Sequence, residues 1–119
     1  MAKFLVVDDA YIMRINIIKH LEKMGHEVIA QAQDGYEAVE AYKKYLPDII
    51  IMDITMPNKN GLDALIEIKS INPRAKVIML TSNGDQSVII NSINKGANGF
   101  IIKPFEPNEL EKILTRLAS

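Results

Sequence analysis

Ile49-Ile50-Ile51-Met52-Asp53 (residues 49–53) reads as four consecutive apolar residues closed by a carboxylate. A continuous apolar run of this length predicts a strand buried on both faces, the habit of parallel sheets, rather than a strand with one wet face. Outward from it, Phe4-Leu5-Val6-Val7, Val77-Ile78-Met79-Leu80 and Phe100-Ile101-Ile102 repeat the pattern. Val28-Ile29-Ala30 is a weaker version, suited to an edge.

Between these runs the apolar period lengthens to that of a helix. Ile17, Leu21 and Met24 form one stripe, stopped by Gly25. Val39, Tyr42 and Leu46 form a second, ended by Pro47. Leu62, Leu65 and Ile66 precede Asn72-Pro73, and Ile89, Ile90 and Ile93 precede Gly96. In the last stripe, Leu110, Ile113, Leu114 and Leu117 follow Pro107, which is placed for the first helical position. Strand and helix thus alternate about five times. The pattern predicts an α/β fold, a (βα)5 open parallel sheet wound doubly through right-handed crossovers. It is too short for an eight-stranded barrel. Three Asn-Gly pairs (60–61, 83–84, 98–99) read as loop turns, because none lies between two strand runs.

Composition narrows the function classes. The chain has 119 residues, 48% hydrophobic and 24% charged, with a formal net charge of −1. That is the profile of one globular domain over 1–119 with a real core. The small net charge argues against charge-driven binding to nucleic acid or membrane. The absence of Cys removes thiol nucleophiles, disulfides and Cys-held metals. No apolar run approaches the ~20 residues of a membrane span, and residues 1–8 do not form a signal peptide. A cytoplasmic protein is expected. His20 and His26 lack ligand partners at metal spacing and read as packing or surface residues. Met13, Met24, Met52, Met56 and Met79 read as filler, and Lys43-Lys44 as a solvated face. No Ser/His/Asp, H-E-x-x-H, Walker or G-x-G-x-x-G pattern is present.

The chemistry collects where the strands end. Open α/β sheets bind ligands outside the carboxyl ends of their strands. There stand Asp8 and Asp9, then Asp53, then Thr81 and Ser82, then Lys103. Taken singly, each has an ordinary reading as a helix cap, a turn hydroxyl or a surface amine. Together they fall on one predicted edge. Three carboxylates side by side repel one another and need positive charge. Lys103 supplies one charge, and a hard divalent cation such as Mg2+ would supply two. A carboxylate beside a metal, an ammonium and a hydroxyl is equipped to accept a phosphoryl group as an acyl phosphate. Asp53, single, central in the chain and followed by the tight Thr55-Met56-Pro57 loop, is the best nucleophile candidate.

F-L-V-V-D-D (4–9), D-I-T-M-P-x-x-x-G (53–61), the Thr81-Ser82 strand end and G-A-x-x-F-I-I-K-P-F (96–105) resemble the CheY-like receiver domains of bacterial two-component response regulators. The match covers essentially the whole chain, with the motifs in order. The resemblance implies a flavodoxin-like strand order of 2-1-3-4-5. It implies Asp53 as the phosphoacceptor, and Mg2+ bound by Asp9, Asp53 and the Thr55 carbonyl with help from Asp8. Lys103 would pair with the phosphoryl oxygens, and the Lys103-Pro104 bond would be cis. Thr81 would hydrogen-bond the phosphoryl group, and Phe100 would change rotamer with it. Ser82, being small, would leave the site open to partners. Thr55 and Asn83 would flank the phosphoryl group and set how fast water attacks it. Phe100 lacks a tyrosine hydroxyl, and Asn60 stands where the family often carries an acid; both are departures.

The resemblance further implies a signalling protein rather than a metabolic enzyme, catalysing only its own phosphorylation and dephosphorylation. Its partners would be a sensor histidine kinase, a downstream target such as a flagellar switch or phosphotransfer protein, and a phosphatase. The expected form is a free-standing, monomeric switch of chemotaxis type. A phosphorelay carrier and a receiver cut from a longer DNA-binding regulator are alternatives. From another class, Asp53-Ile54-Thr55 faintly matches the D-x-D-x-T motif of Mg2+-dependent aspartyl-phosphate phosphatases, but Thr55 replaces their general acid.

Overall fold

The computed structural model describes residues 1–82 and 86–118. Its elements alternate without exception: β1 (Lys3–Val7), α1 (Tyr11–Lys23), β2 (Glu27–Ala32), α2 (Gly35–Tyr45), β3 (Ile49–Asp53), α3 (Gly61–Ile71), β4 (Lys76–Thr81), α4 (Gln86–Asn94), β5 (Gly99–Ile102) and α5 (Pro107–Ala118). The strands form one sheet in the order β2-β1-β3-β4-β5, and all four pairings are parallel.

The pleat sends alternate residues to opposite faces, and both faces are covered. Leu5, Val7, Ile50, Met52, Val77 and Met79 pack with Val39 and Tyr42 of α2 and Leu65 and Ile68 of α3. Phe4, Val6, Ile49, Ile51, Ile78 and Leu80 pack with Ile17 and Leu21 of α1 and Leu110 and Leu114 of α5. Each fully buried side chain of this kind contributes about 1.5–3 kcal/mol. That is why the continuous runs are strands of the sheet interior. The weak run at Val28 is indeed the edge, longer than its apolar core suggested and only half-buried.

Three helical stripes differ from expectation. Leu46 is not a core residue of α2: it is exposed, and caps the helix in the left-handed region at φ 47°, because Pro47 forbids a further turn. In α3 the buried face is Gly61, Ala64, Leu65 and Ile68, while Ile66 points outward. In α4 only Ser92 is buried among the described residues, its hydroxyl donating to the Val88 carbonyl, and Ile90 and Ile93 are exposed. A four-residue edge strand gives α4 too little sheet to cover a full apolar stripe. Several other features agree. Gly25 turns the chain after α1 at φ 86°, and Pro107 opens α5. His26 packs on Phe4 and His20 on Phe105. Of the Asn-Gly pairs, 83–84 lies outside the described residues, and the other two are not loop turns: Asn60 caps α3 with Gly61 as its first residue, and Gly99 begins β5.

Asp34 caps α2 reciprocally with Glu37. Its carboxylate accepts from the Glu37 amide at 2.9 Å, while the Glu37 carboxylate accepts from the Gln33 amide at 3.0 Å. The Glu37 amide first, then the Asn58 side-chain amide, holds the Asp34 carboxyl below its ordinary value, against a small opposing effect of burial. Asp34→Ala is expected to lower stability by about 1 kcal/mol at neutral pH. The sign follows from linkage: a depressed carboxyl stabilises the fold above its unfolded pKa of about 4 and loses that contribution as the pH falls through the folded value. The gap between wild type and Asp34→Ala in urea melts should therefore close in acid. A gap that stayed constant from neutral pH to pH 3 would contradict the cap.

Candidate functional site

The carboxyl ends of β1, β3, β4 and β5 lie side by side, and four of the predicted groups meet there. Asp8, Asp9 and Asp53 each offer a carboxylate oxygen, all within 4.8 Å of one another. Lys103 reaches into the cluster from the end of β5, with Nζ 3.1 Å from Asp8 Oδ2 and 3.2 Å from Asp53 Oδ2. Asp8 and Asp53 are buried; Asp9 is exposed.

Each side chain is delivered by its strand. Asp53 ends β3 opposite Leu80 of β4, and the next amide, of Ile54, donates to the Leu80 carbonyl at 2.9 Å. The Asp8 amide donates to Ala32 at 3.1 Å, extending the pairing of β1 with β2 by one residue. The Lys103 amide donates to the Thr81 carbonyl at 2.7 Å, so the same step ties Lys103 to Thr81, and the Lys103-Pro104 bond is cis. The acids do not cap α1, whose N-cap is Ala10 without a side-chain hydrogen bond. Instead Asp8 Oδ1 accepts from the Ala10 amide at 2.9 Å.

The electrostatics are those of crowded acids around one amine. Burial raises the Asp53 carboxyl above its ordinary value, and the Asp8 charge adds to this; Lys103 and the Thr55 amide oppose it. Burial alone would lower the Lys103 ammonium, but its bonds to Asp8 and Asp53 outweigh that and raise it. One ammonium thus serves two buried carboxylates, with a third at the rim. The donors are all oxygen and carboxylate-rich, and they are grouped closely enough to share an ion. This set suits a hard divalent cation and offers no nitrogen or sulfur to a softer one.

The other expected residues fall as follows. Thr81 is buried at the end of β4, while Ser82 and Thr55 are exposed. Register places Met79 opposite Phe100 and Thr81 opposite Ile102. Thr81 and Phe100 therefore share one face of the sheet, two residues apart along it. Phe100 is half-buried. Asn83 lies outside the described residues. Asn60 caps α3, its side chain accepting from the Asp63 amide at 2.9 Å, so the departure at this position keeps the role an acid would have there. A cleft of about 450 Å³ at the opposite edge, beside Ile49 and Lys76 where β3 and β4 begin, takes no part in this cluster.

Two contacts near the site went unread in the sequence. Arg14 is buried beneath the β1–α1 loop, with Nη1 2.7 Å from the Asp8 carbonyl. Its signal was a basic residue three before Ile17 and seven before Leu21, on the buried stripe. Asn58, at φ 67°, bonds Asp34 through its side-chain amide at 2.9 Å, tying the β3–α3 loop to the start of α2.

Comparison with known proteins gives a consistent picture. Residues 4–115 match the family model described as the response regulator receiver domain. The chemotaxis protein CheY of Thermotoga maritima is 45% identical over 116 residues, 98% of this chain and 97% of that protein. CheY of Bacillus subtilis is 45% identical over 96% of this chain and 95% of its own length. Among solved structures, the CheX–CheY–BeF3–Mg2+ complex from Borrelia burgdorferi matches with a TM-score of 0.95 at 30% identity, over 98% of this chain and 89% of that one.

Proposed function

The chain belongs to the response regulator receiver family, and from that premise we propose that it is a chemotaxis-type switch phosphorylated on Asp53 by a sensor histidine kinase. The observation that carries this is the buried Asp53 carboxylate, 3.2 Å from the Lys103 ammonium and within 4.8 Å of the Asp8 and Asp9 oxygens. The transfer is a substitution at phosphorus. An Asp53 oxygen attacks the phosphohistidine of the kinase, the P–N bond breaks with its electron pair left on the imidazole, and an acyl phosphate forms.

The residues around Asp53 divide the work. Asp8, Asp9, Asp53 and the Thr55 carbonyl would hold Mg2+, which when bound supplies the positive charge that a phosphoryl group needs. The CheY of the Borrelia complex is described with Mg2+ and a beryllofluoride, which supports the same reading here. Lys103, already in contact with Asp53, is in reach of an oxygen on the new phosphoryl group. Thr81 would donate its hydroxyl to another. Ser82, exposed and small, leaves the approach open, and Thr55 would flank the path of the hydrolytic water.

Phosphorylation adds close to two negative charges at this end of the sheet. Thr81 and Phe100 share a sheet face, so drawing the hydroxyl toward the phosphoryl group opens space into which the ring can follow. The surface of α4, β5 and α5 would then change what it presents to a target. Exposed Ile90, Ile93 and Ile102 lie on these elements. A near-complete swing between the two states needs about 5.5 kcal/mol of differential affinity. On this reading the chain acts as one receiver unit over 1–119, in the cytoplasm and as a monomer. Its only catalysis is its own phosphorylation and dephosphorylation.

The test is intact-mass spectrometry after incubation with acetyl phosphate. Wild type should gain one phosphoryl group with Mg2+ and none with excess chelator. A Mg2+-independent adduct, or no binding of beryllofluoride where no adduct accumulates, would refute the proposal. Lys103→Ala should still accept beryllofluoride but transmit it poorly: the amide NMR shifts at Thr81 and Phe100 that accompany binding in wild type should shrink by more than half. Shifts of unchanged size would remove Lys103 from the switch.

A further inference from the structure

Arg14 is 8% exposed, on the inward face of α1 with Ile17 and Leu21. A buried guanidinium is costly unless its donors are used, and here they are. Nη1 donates to the Asp8 carbonyl at 2.7 Å, Nε donates to Gln31 Oε1 on the edge strand β2 at 3.0 Å, and the group lies 5.6 Å from the Tyr11 ring centroid. The fork therefore spans from β2 to the loop carrying the two acids.

The Asp8 carbonyl and the Asp9 amide belong to one planar peptide unit. Holding the carbonyl fixes that plane, and with it the position of the Asp9 α-carbon and the direction in which the chain enters it. This matters for Asp9 more than for Asp8. The Asp8 carboxylate is held by the Ala10 amide and by Lys103. The exposed Asp9 carboxylate has no hydrogen bond among the described residues, so its aim depends on its backbone.

We propose that Arg14 is a positioning residue for the divalent-cation site: by clamping the Asp8 carbonyl to Gln31 it fixes the Asp8–Asp9 peptide and turns the Asp9 carboxylate toward Asp8 and Asp53. The proposal rests on the Mg2+ reading above. It makes a prediction opposite in sign to that of charge alone. A guanidinium near three carboxylates repels a divalent cation, so deleting a bare charge would tighten Mg2+ binding. Deleting a clamp loosens it. A purely structural role changes the melting temperature and leaves Mg2+ affinity as it was.

The experiment is calorimetric titration of the full chain with Mg2+, paired with thermal melts in chelator, on wild type, Arg14→Ala, Arg14→Lys and Gln31→Ala. Arg14→Ala should weaken Mg2+ about tenfold or more, the usual effect of losing a residue that orients metal ligands. Arg14→Lys should recover part of this, because one ammonium can reach the Asp8 carbonyl but does not reproduce the fork to Gln31. Gln31→Ala should lose less, in the same direction. Mg2+ binding that is unchanged or tighter in Arg14→Ala overturns the proposal. If that variant does not fold, the same result in Arg14→Lys and Gln31→Ala overturns it. A wild type that takes up no Mg2+ defeats the metal reading and the clamp together, and the wild-type titration alone reveals it.

Discussion

Asp53→Asn should give no phosphoryl adduct under conditions that label wild type fully, and in metal-free buffer it should melt at or above the wild-type temperature. The first half follows from chemistry. A carboxamide oxygen is a poor nucleophile and cannot form the acyl phosphate. The second half follows from the electrostatics. Burial raises the Asp53 carboxyl above its ordinary value, so ionising it costs more in the folded state than in the unfolded chain. The sign is opposite to that of Asp34. The cost of ionised Asp53 is absent below its unfolded pKa and appears as the pH rises through the folded value, so a neutral isostere relieves it at pH 7. Losing the contact with Lys103 opposes this, but the ammonium keeps Asp8 at 3.1 Å. On the proposed site Mg2+ should reverse the order, since it would meet three carboxylates in wild type and two in the variant. Thermal melts with and without Mg2+, run beside the mass measurement, check both halves. A variant clearly less stable than wild type in chelator would mean that the Lys103–Asp53 pair outweighs desolvation. An adduct surviving in the variant would move the acceptor elsewhere.

The interior of this fold was legible because its strands are buried on both faces and so carry unbroken apolar runs. Ile49–Met52 and Val77–Leu80 admit hardly any other reading. The site was legible for a related reason: a chain of Ile, Val and Leu that stops at Asp8, Asp53, Thr81 or Lys103 announces the sheet edge residue by residue. The errors lie where burial is partial. Ile66, Ile90 and Ile93 are as apolar as core residues, and only the tertiary placement of α3 and α4 says that they face out. Leu46 was mistaken for core because periodicity does not register a left-handed cap. Arg14 was passed over because a basic residue on a helix is ordinarily solvated. Its burial depends on Gln31, seventeen residues away on a different strand.

Gly61→Ala should be the most damaging single-methyl addition among the glycines described, by about 3 kcal/mol or more. A Cβ there would lie 2.1 Å from the Asp53 carbonyl oxygen, 2.9 Å from Ile54 Cα and 3.0 Å from the Asp53 carbonyl carbon. All three are backbone atoms, so no rotamer change makes room. Gly61 opens α3, and its amide donates to the Ile54 carbonyl at 2.8 Å, so helix and strand end touch at this point. Relief requires one of two movements. Either α3 retreats, taking Ala64, Leu65 and Ile68 out of contact with β3, or the Asp53–Ile54 peptide turns and carries the acceptor away from Asp8 and Lys103. The first costs core, the second costs the site. Gly25 provides the contrast: nothing lies within 4 Å of its Cβ position, and only its φ of 86° resists a side chain, so Gly25→Ala should cost about 1 kcal/mol and leave phosphorylation intact. For a domain of this size the two variants should differ by roughly 10 °C in melting temperature. A Gly61→Ala protein melting close to wild type would show that the helix slides without cost. One that melts low but is labelled at the wild-type rate would show that the strain is absorbed by α3 alone and never reaches Asp53.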